Sequence, residues 1–450
     1  MSEEWKQLGF DTKAVQLGYK PDVSNNYSLV PPIGLSSTFE QDDPSSHRGF
    51  LYVRQNNPSR QILEKGLALL EDAKYSLCFS SGTSAISAIV QLLNTGEHIV
   101  SSEIIFGGTY RYFDKIAGRV GITTTYVDAT DPKNVENALQ VNTRLVYLET
   151  PSNPLLSLCD IARIAEIVHK RQDILFAVDN TFLTSYYQRP LELGADISVY
   201  SVTKYLNGHT DVCMGAMCFN NDDLLPRLRY LQNNAGVGPS PFDCYLVHRS
   251  LKTLPLRLRH QMKSCLKVAQ FLESHPLVTK VLCPWLPSHP QHELSKRQTS
   301  GYTSMIAFYV KGELQETSTV LKKFRIVNMA GSLGGVESLA EIPSVLSHAS
   351  FPVEERKRMG ITDNLVRLSV GLEDVDDIIA DLDLALRSAG MVNVHFQACA
   401  LNISTMVFTT AYPEASELAA GTENDKECSF LPLGAVVSLS SESGESVLQP

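Results

Sequence analysis

Four segments carry side chains able to do chemistry, and each stands directly after a short apolar run. Ser80-Ser81-Gly82-Thr83 follows YSLCF and opens a helical stretch. Small residues at such a junction present free N–H groups to an anion, and the helix dipole adds to the attraction. Thr150-Pro151-Ser152-Asn153-Pro154 follows RLVYLE as a turn with a polar side chain to offer. Asp179-Asn180-Thr181 follows ILFAV, where an acid taken alone would simply cap a helix. Thr203-Lys204-Tyr205 follows ISVYSV. A lysine after so apolar a run must be paired or deprotonated, because a lone buried ammonium is costly.

These ends meet if the runs are strands of one sheet. YSLCF, HIVSS, TTTYV, RLVYLET, ILFAVDN and ISVYSV alternate with helical stretches such as IARIAEIVHK. That alternation predicts an α/β domain with a mostly parallel sheet, placed at about residues 56–255. Ligands of such sheets sit at the carboxyl ends of the strands. An anion cradle, a carboxylate and an amine at one edge fit pyridoxal 5'-phosphate. Lys204 would condense with its aldehyde, Asp179 would keep its ring nitrogen protonated, and the hydroxyls of Ser201 and Thr203 would reach its phosphate. A nucleotide-binding α/β enzyme is the alternative, but no GxGxxG or GxxxxGKS loop supports it.

Around this domain the chain divides further. Residues 1–55 read as an irregular arm that must lie across another surface. Regular structure begins at NNPSRQILEKGLALLEDA, where Asn57 caps, Pro58 fits the first turn, and Ile62, Leu63, Gly66, Leu67 and Leu70 share a face. From about residue 244 one long helix pattern, ending in VAQFLES, leads into a smaller α+β region at 256–390. Its strands are predicted at KVLCP, MIAFYVK and LVRLSVG, with helices near 313–323 and 374–388. The segment 391–450 holds seven acidic residues and one lysine and is predicted to be a largely disordered tail, with LNISTMVFTTAY as its one apolar stretch.

Composition excludes several classes. The hydrophobic and charged fractions, 43% and 20%, are those of a folded globular chain. A net charge of −10 disfavours nucleic acid or an anionic membrane as partner. The opening MSEEWKQLGFDTK is polar and acidic, unlike a leader peptide, so a cytoplasmic location is expected. Nine cysteines without a CxxC pair suggest reduced thiols, with Cys213 and Cys218 packing a core. HPQH at 289–292 follows Pro287 and contains Pro290, and reads as a solvated turn, so no metal site is expected.

Longer motifs identify a family. VDNTF (178–182) and SVTKYLNGHTDVCMG (201–215), with 25 positions from Asp179 to Lys204, resemble the Cys/Met-metabolism family of pyridoxal-phosphate enzymes. YVRQNNPSR, SSGTSA, FGGTYRYF, ETPSNP, SLGGVESLAE and LVRLSVGLED fall in that family's order, over about residues 10–390. The resemblance implies fold type I, like aspartate aminotransferase, assembled as a homotetramer of two close dimers. It implies a carbon–sulfur lyase acting on sulfur amino acids, foremost cystathionine, with Lys204 as the catalytic lysine. Gly82, Thr83, Ser201 and Thr203 would hold the phosphate and Asp179 the ring nitrogen. Tyr52 and Arg54, on the arm, would reach the phosphate of the neighbouring subunit. Arg367 would clamp the substrate carboxylate, which needs a planar, bidentate donor. Asn153, Ser332 and Arg111 would lie beside the substrate.

Two departures fall at the implied site. Phe106 stands where the family has tyrosine, so it can stack on the cofactor but brings no hydroxyl for proton transfer. Gly331 stands where members that cleave cystathionine at Cγ carry an acid for its distal amino group. They keep open a lyase of shifted specificity (for cysteine, homocysteine, methionine, or β-elimination of cystathionine) and a cofactor-binding paralogue with little turnover.

Overall fold

A computed structural model describes residues 7–23, 26–45 and 48–403, with side chains described as far as Ala389. Two sheets organise the body. The larger has seven strands: β1 (Tyr75–Phe79), β2 (His98–Ser102), β3 (Thr123–Val127), β4 (Thr143–Glu149), β5 (Leu175–Asp179), β6 (Ile197–Ser201) and β7 (Gly215–Phe219). Their order is β1-β7-β6-β5-β4-β2-β3. Every neighbouring pair is parallel except the two made by β7. The carboxyl ends of β1, β2, β4, β5 and β6 therefore share one edge, and β7 starts at it. β2 and β7 are buried along their whole length, as strands of a sheet covered on both faces are.

The helices follow local signals. Helix α1 (Phe10–Gln16) lies in the stretch expected to be irregular; Ala14 and Leu17 are fully buried, so the arm begins with a packed turn of helix. Leu17 lies 3.4 Å from where a Cβ on Gly66 would stand, on α2 (Pro58–Leu70). Asn57 caps α2, its side-chain oxygen accepting from the N–H groups of Ser59 and Arg60 at 2.9 and 3.3 Å. Helix α3 (Gly82–Val90) leaves the end of β1. The single long helix expected after residue 244 is two: α4 (Pro241–Leu251) and α5 (Leu254–Ser274). Pro255 explains the break, since it can occupy a first turn but not a helix interior.

The smaller sheet has five strands: β8 (Val278–Leu282), β9 (Met305–Val310), β10 (Asn328–Met329), β11 (Leu339–Glu341) and β12 (Leu365–Ser369), in the order β10-β11-β12-β9-β8. Val366 and Leu368 face a core with Ile306, Phe308 and the α5 residues Cys265, Val268 and Leu272. Alternation along β12 turns Arg367 to the opposite face, where it stands in register with Glu341.

The last helix, α6 (Val375–Ile403), runs through Gly390, where the folded part was expected to end. Ile378, Leu382, Leu386 and Ala389 of this helix are buried. The described residues up to 397 belong to one compact unit. The acidic segment beyond Ile403 lies outside the described residues. His289 is buried, contrary to a solvated turn, and its Nδ1 accepts from the N–H of Gln291 at 3.2 Å.

Candidate active site

A cavity of about 420 Å³ lies where the carboxyl edge of the large sheet meets the Arg367 face of the small one. It is lined by eleven of the thirteen residues singled out in the sequence: Gly82, Thr83, Phe106, Arg111, Asn153, Asp179, Ser201, Thr203, Lys204, Ser332 and Arg367 reach it, while Tyr52 and Arg54 do not.

At one end sits the start of α3. Ser81 caps it, its Oγ accepting from the N–H of Ser84 at 3.0 Å, and the N–H groups of Gly82 and Thr83 remain for an outside acceptor. This loop rests on the first residue of β7. A Cβ on Gly215 would come within 2.2 Å of the Ser81 carbonyl oxygen, so only glycine permits the packing. Ser201 closes the cradle from β6; the Thr203 hydroxyl is tied to the backbone of Met214, accepting from its N–H at 2.9 Å.

In the middle stands Asp179, the last residue of β5. Its carboxylate accepts from Tyr147 Oη at 3.0 Å, from the Thr181 N–H at 3.0 Å and from Thr181 Oγ1 at 2.5 Å. Thr181 Oγ1 in turn accepts from the N–H of Ser201 at 2.8 Å, so this carboxylate and the anion cradle are fixed to each other. Burial pushes the Asp179 carboxyl up, and these hydrogen bonds oppose the rise.

Lys204 follows β6 in a tight turn, its N–H donating to the Ser201 carbonyl at 3.1 Å. Its Nζ donates to Ser332 Oγ at 2.8 Å. Burial, then the charge of Arg367, bring its pKa down to about 8, with Glu341 pulling the other way. Ser332 has a φ of 83°, left-handed backbone that a serine rarely adopts. The same residue receives Arg367, whose Nη2 donates to its carbonyl oxygen at 2.7 Å. Arg367 Nη1 reaches Asn153 Oδ1 at 2.9 Å and Glu341 Oε1 at 3.0 Å. Both Arg367 and Glu341 are buried, so each charge needs the other.

The outer wall holds the departures. Phe106 is 40% exposed. Its N–H donates to Glu149 Oε2 at 2.9 Å. Gly107 after it is required, since a Cβ there would lie 2.3 Å from the Ser347 carbonyl oxygen. Gly331 and Leu346 complete this side, and Arg111 Nη1 donates to Ser350 Oγ at 3.0 Å. Cys213, expected in a core, is exposed and lines the cavity, whereas Cys218 is buried in β7. Tyr52 and Arg54 lie outside, and Arg54 Nη1 donates to Asn233 Oδ1 at 2.9 Å.

Tyr147, Glu149 and Glu341 belong to the site without having stood out in the sequence. Glu149 closes the apolar run RLVYLE as Asp179 closes ILFAV, and that shared pattern was its signal. Glu341 and Tyr147 gain their roles only from cross-strand pairing. The residues fit pyridoxal phosphate: an anion cradle, a carboxylate fixed beside it and an amine of lowered pKa share a cavity of suitable size. Among the described residues no cluster of His, Cys, Asp or Glu could hold a metal, and no helix is long and apolar enough to cross a membrane.

Comparison with known proteins agrees with this arrangement. The Cys/Met metabolism PLP-dependent enzyme family matches residues 11–387. Cystathionine gamma-lyase of Sus scrofa is 50% identical over 384 residues, 85% of this chain and 95% of that protein. The Mus musculus enzyme of the same name is 51% identical over 380 residues, 84% of this chain and 96% of the relative. The crystal structure of cystathionine gamma-lyase from Lactobacillus plantarum complexed with L-serine superposes with a TM-score of 0.82 at 37% identity, covering 85% of this chain and all of that one.

Proposed function

The chain belongs to the Cys/Met metabolism enzymes that depend on pyridoxal phosphate, and from that premise we propose that it cleaves L-cystathionine with water to L-cysteine, 2-oxobutanoate and ammonia. It is a carbon–sulfur lyase, and this reaction places it in transsulfuration and cysteine biosynthesis. The observation that carries the proposal is the double use of Ser332, whose Oγ accepts from Lys204 at 2.8 Å and whose carbonyl accepts from Arg367 at 2.7 Å. An amino acid with its carboxylate on Arg367 has its α-carbon beside the Lys204 amine.

Bound pyridoxal phosphate supplies an aldehyde that condenses with amines and a protonated ring that takes up the electron pair released at Cα. Gly82, Thr83, Ser201 and Thr203 would hold its phosphate, and Asp179 would pair with its ring nitrogen. Lys204, its pKa lowered by burial, would take the proton from Cα, hand it on, and as free amine again take one from Cβ, the electron pair freed there expelling the cysteine thiolate from Cγ. Arg367 and Asn153 orient the carboxylate, with Ser332 and Arg111 beside the substrate. Phe106 stacks without a hydroxyl, so Lys204 carries these proton transfers by itself.

Tyr52 and Arg54 serve the phosphate of a second copy in a homotetramer of two close dimers. The exposed apolar residues Val23, Leu29, Val30 and Leu35 of arm 1–55 support a surface covered by that copy. We assign cofactor binding to 56–255 and the substrate clamp to 256–390. The free cysteines among the described residues support a cytoplasmic location. Gly331 and Leu346 favour a second reading, a lyase for smaller substrates such as homocysteine or methionine that lack the distal amino group. Recombinant protein loaded with pyridoxal phosphate and given L-cystathionine should release 2-oxobutanoate steadily. Release from homocysteine or methionine with none from cystathionine would establish the second reading instead.

A further inference from the structure

Two carboxylic acids stand side by side in the floor of the cavity. Glu149 and Asp179 end adjacent parallel strands and are paired in register, and both are buried. Two negative charges so placed in a low-dielectric floor oppose each other, and one is expelled by protonation. Which acid keeps the charge depends on the hydrogen bonds each receives. Glu149 accepts two backbone N–H groups, from Phe106 and Asn153, both at 2.9 Å. Asp179 accepts one N–H and two hydroxyls, from Thr181 and Tyr147.

Tyr147 is unusually committed to this contact. It sits two residues before Glu149 in β4, on the same side of the sheet, and diagonal to Asp179 on β5. It is fully buried with its ring edge-on to Phe113, 5.4 Å between centroids, so its hydroxyl has no water to turn to. Burial and the neighbouring acids hold its phenol well above the ordinary range, so it is a permanent donor. Burial and the charge of Asp179 likewise push Glu149 well up.

We infer that Tyr147 is a positioning residue whose hydroxyl keeps the single negative charge of the Asp179–Glu149 pair on Asp179, where the cofactor ring nitrogen needs it. The inference deepens the cofactor assignment above and rests on it. The other titratable groups around the cavity are Lys204 after β6, Cys213 before β7, Glu341 and Arg367 on the small sheet, and Arg111 on the outer wall. Among the described residues none of these donates to Asp179, whose hydrogen bonds come from Tyr147 on β4 and from Thr181.

The test is an acid titration of the holoenzyme, following the visible absorption of the bound cofactor and the cofactor retained after gel filtration. Tyr147→Phe removes one oxygen and keeps the ring. The expected result is that the midpoint of acid cofactor loss moves up by about one pH unit, equivalent to about tenfold weaker binding at a pH on that limb. Thr181→Val, which removes the other hydroxyl donor, should move it the same way. A Tyr147→Phe enzyme with the wild-type midpoint overturns the inference. So does a loss of absorption that is uniform with pH, because that is what a packing role alone would produce. Thermal melting of each variant identifies failure to fold, and Thr181→Val then decides. The wild-type absorption band checks the cofactor assignment separately.

Discussion

Restoring an acid at position 331 tests the assigned substrate at the point where the chain departs from its family. A Cβ on Gly331 would meet nothing nearer than Leu346 Cδ2 at 3.6 Å, an ordinary contact, and the backbone there is not left-handed. Gly331→Glu therefore introduces a carboxylate without strain. Its position is exposed at the cavity rim, so the charge is screened. A dry charged hydrogen bond contributes about 1.5–3 kcal/mol, but exposed pairs deliver about 0.2–1 kcal/mol. Taking about 1 kcal/mol, kcat/KM for cystathionine should rise about 5-fold. Homocysteine lacks the distal amino group and should show no gain. The assay is initial-rate release of 2-oxobutanoate from each substrate. An equal change for both substrates, or none for cystathionine, would refute the reasoning that position 331 meets the distal end.

Other expectations concern the same cavity and its supports. Phe106→Tyr restores a hydroxyl on a half-exposed ring and should raise kcat for cystathionine tenfold or more, measured as keto-acid release. Arg367→Lys removes the planar donor shared by Ser332, Asn153 and Glu341, and kcat/KM should fall on the order of 10²-fold. Loading of the apoenzyme with pyridoxal phosphate should quicken as pH rises through about 8 and then level off, because only the unprotonated Lys204 amine is nucleophilic; stopped-flow absorbance follows this. Glu71, buried beneath the large sheet and hydrogen-bonded to Tyr200, has its pKa raised to about 8, chiefly by burial. A raised acid stabilises the fold below its unfolded pKa near 4.5 and loses that contribution as pH rises to about 8. Glu71→Gln should flatten melting temperature against pH over that window.

The sequence was legible where one residue type answers one local demand. Asn57 and Pro58 start α2 because a cap and a fixed φ are needed there, and the runs of β1, β2, β4, β5 and β6 follow from strands buried on both faces. Strand β7 was not read, because GAMCF looks like any core segment and its role depends on pairing antiparallel between β1 and β6. The break between α4 and α5 was overlooked because apolar periodicity continues across it while Pro255 interrupts the backbone. Site residues that close a strand, Asp179 and Lys204, announce themselves by polarity against an apolar run. Those created by a partner strand do not: Glu341 looks like one more acid until the register sets it opposite Arg367.

The distribution of the departures bears on whether the site is impaired or adapted. The cradle at α3, the Asp179–Thr181–Ser201 chain, the Lys204 turn and the Arg367 clamp are joined by specific hydrogen bonds, and each would cost buried polar satisfaction if abandoned. A site drifting without use would lose such groups first, because nothing else in the fold needs a buried lysine beside a buried arginine. The departures instead lie on the outer wall, at Phe106 and Gly331, with the exposed Leu346 next to Gly331. In the proposed binding mode, with the carboxylate on Arg367, that wall would meet the part of a substrate beyond Cγ. Losing an acid there while keeping every group that acts on Cα is the pattern of altered substrate choice. A cofactor-binding paralogue with little turnover is thereby disfavoured, and the ratio of cystathionine to homocysteine cleavage in the unaltered chain becomes the quantity that separates the two remaining readings. A ratio above one means that the distal end is held by another group, and Arg111, whose guanidinium could take the distal carboxylate, is then the next contact to remove.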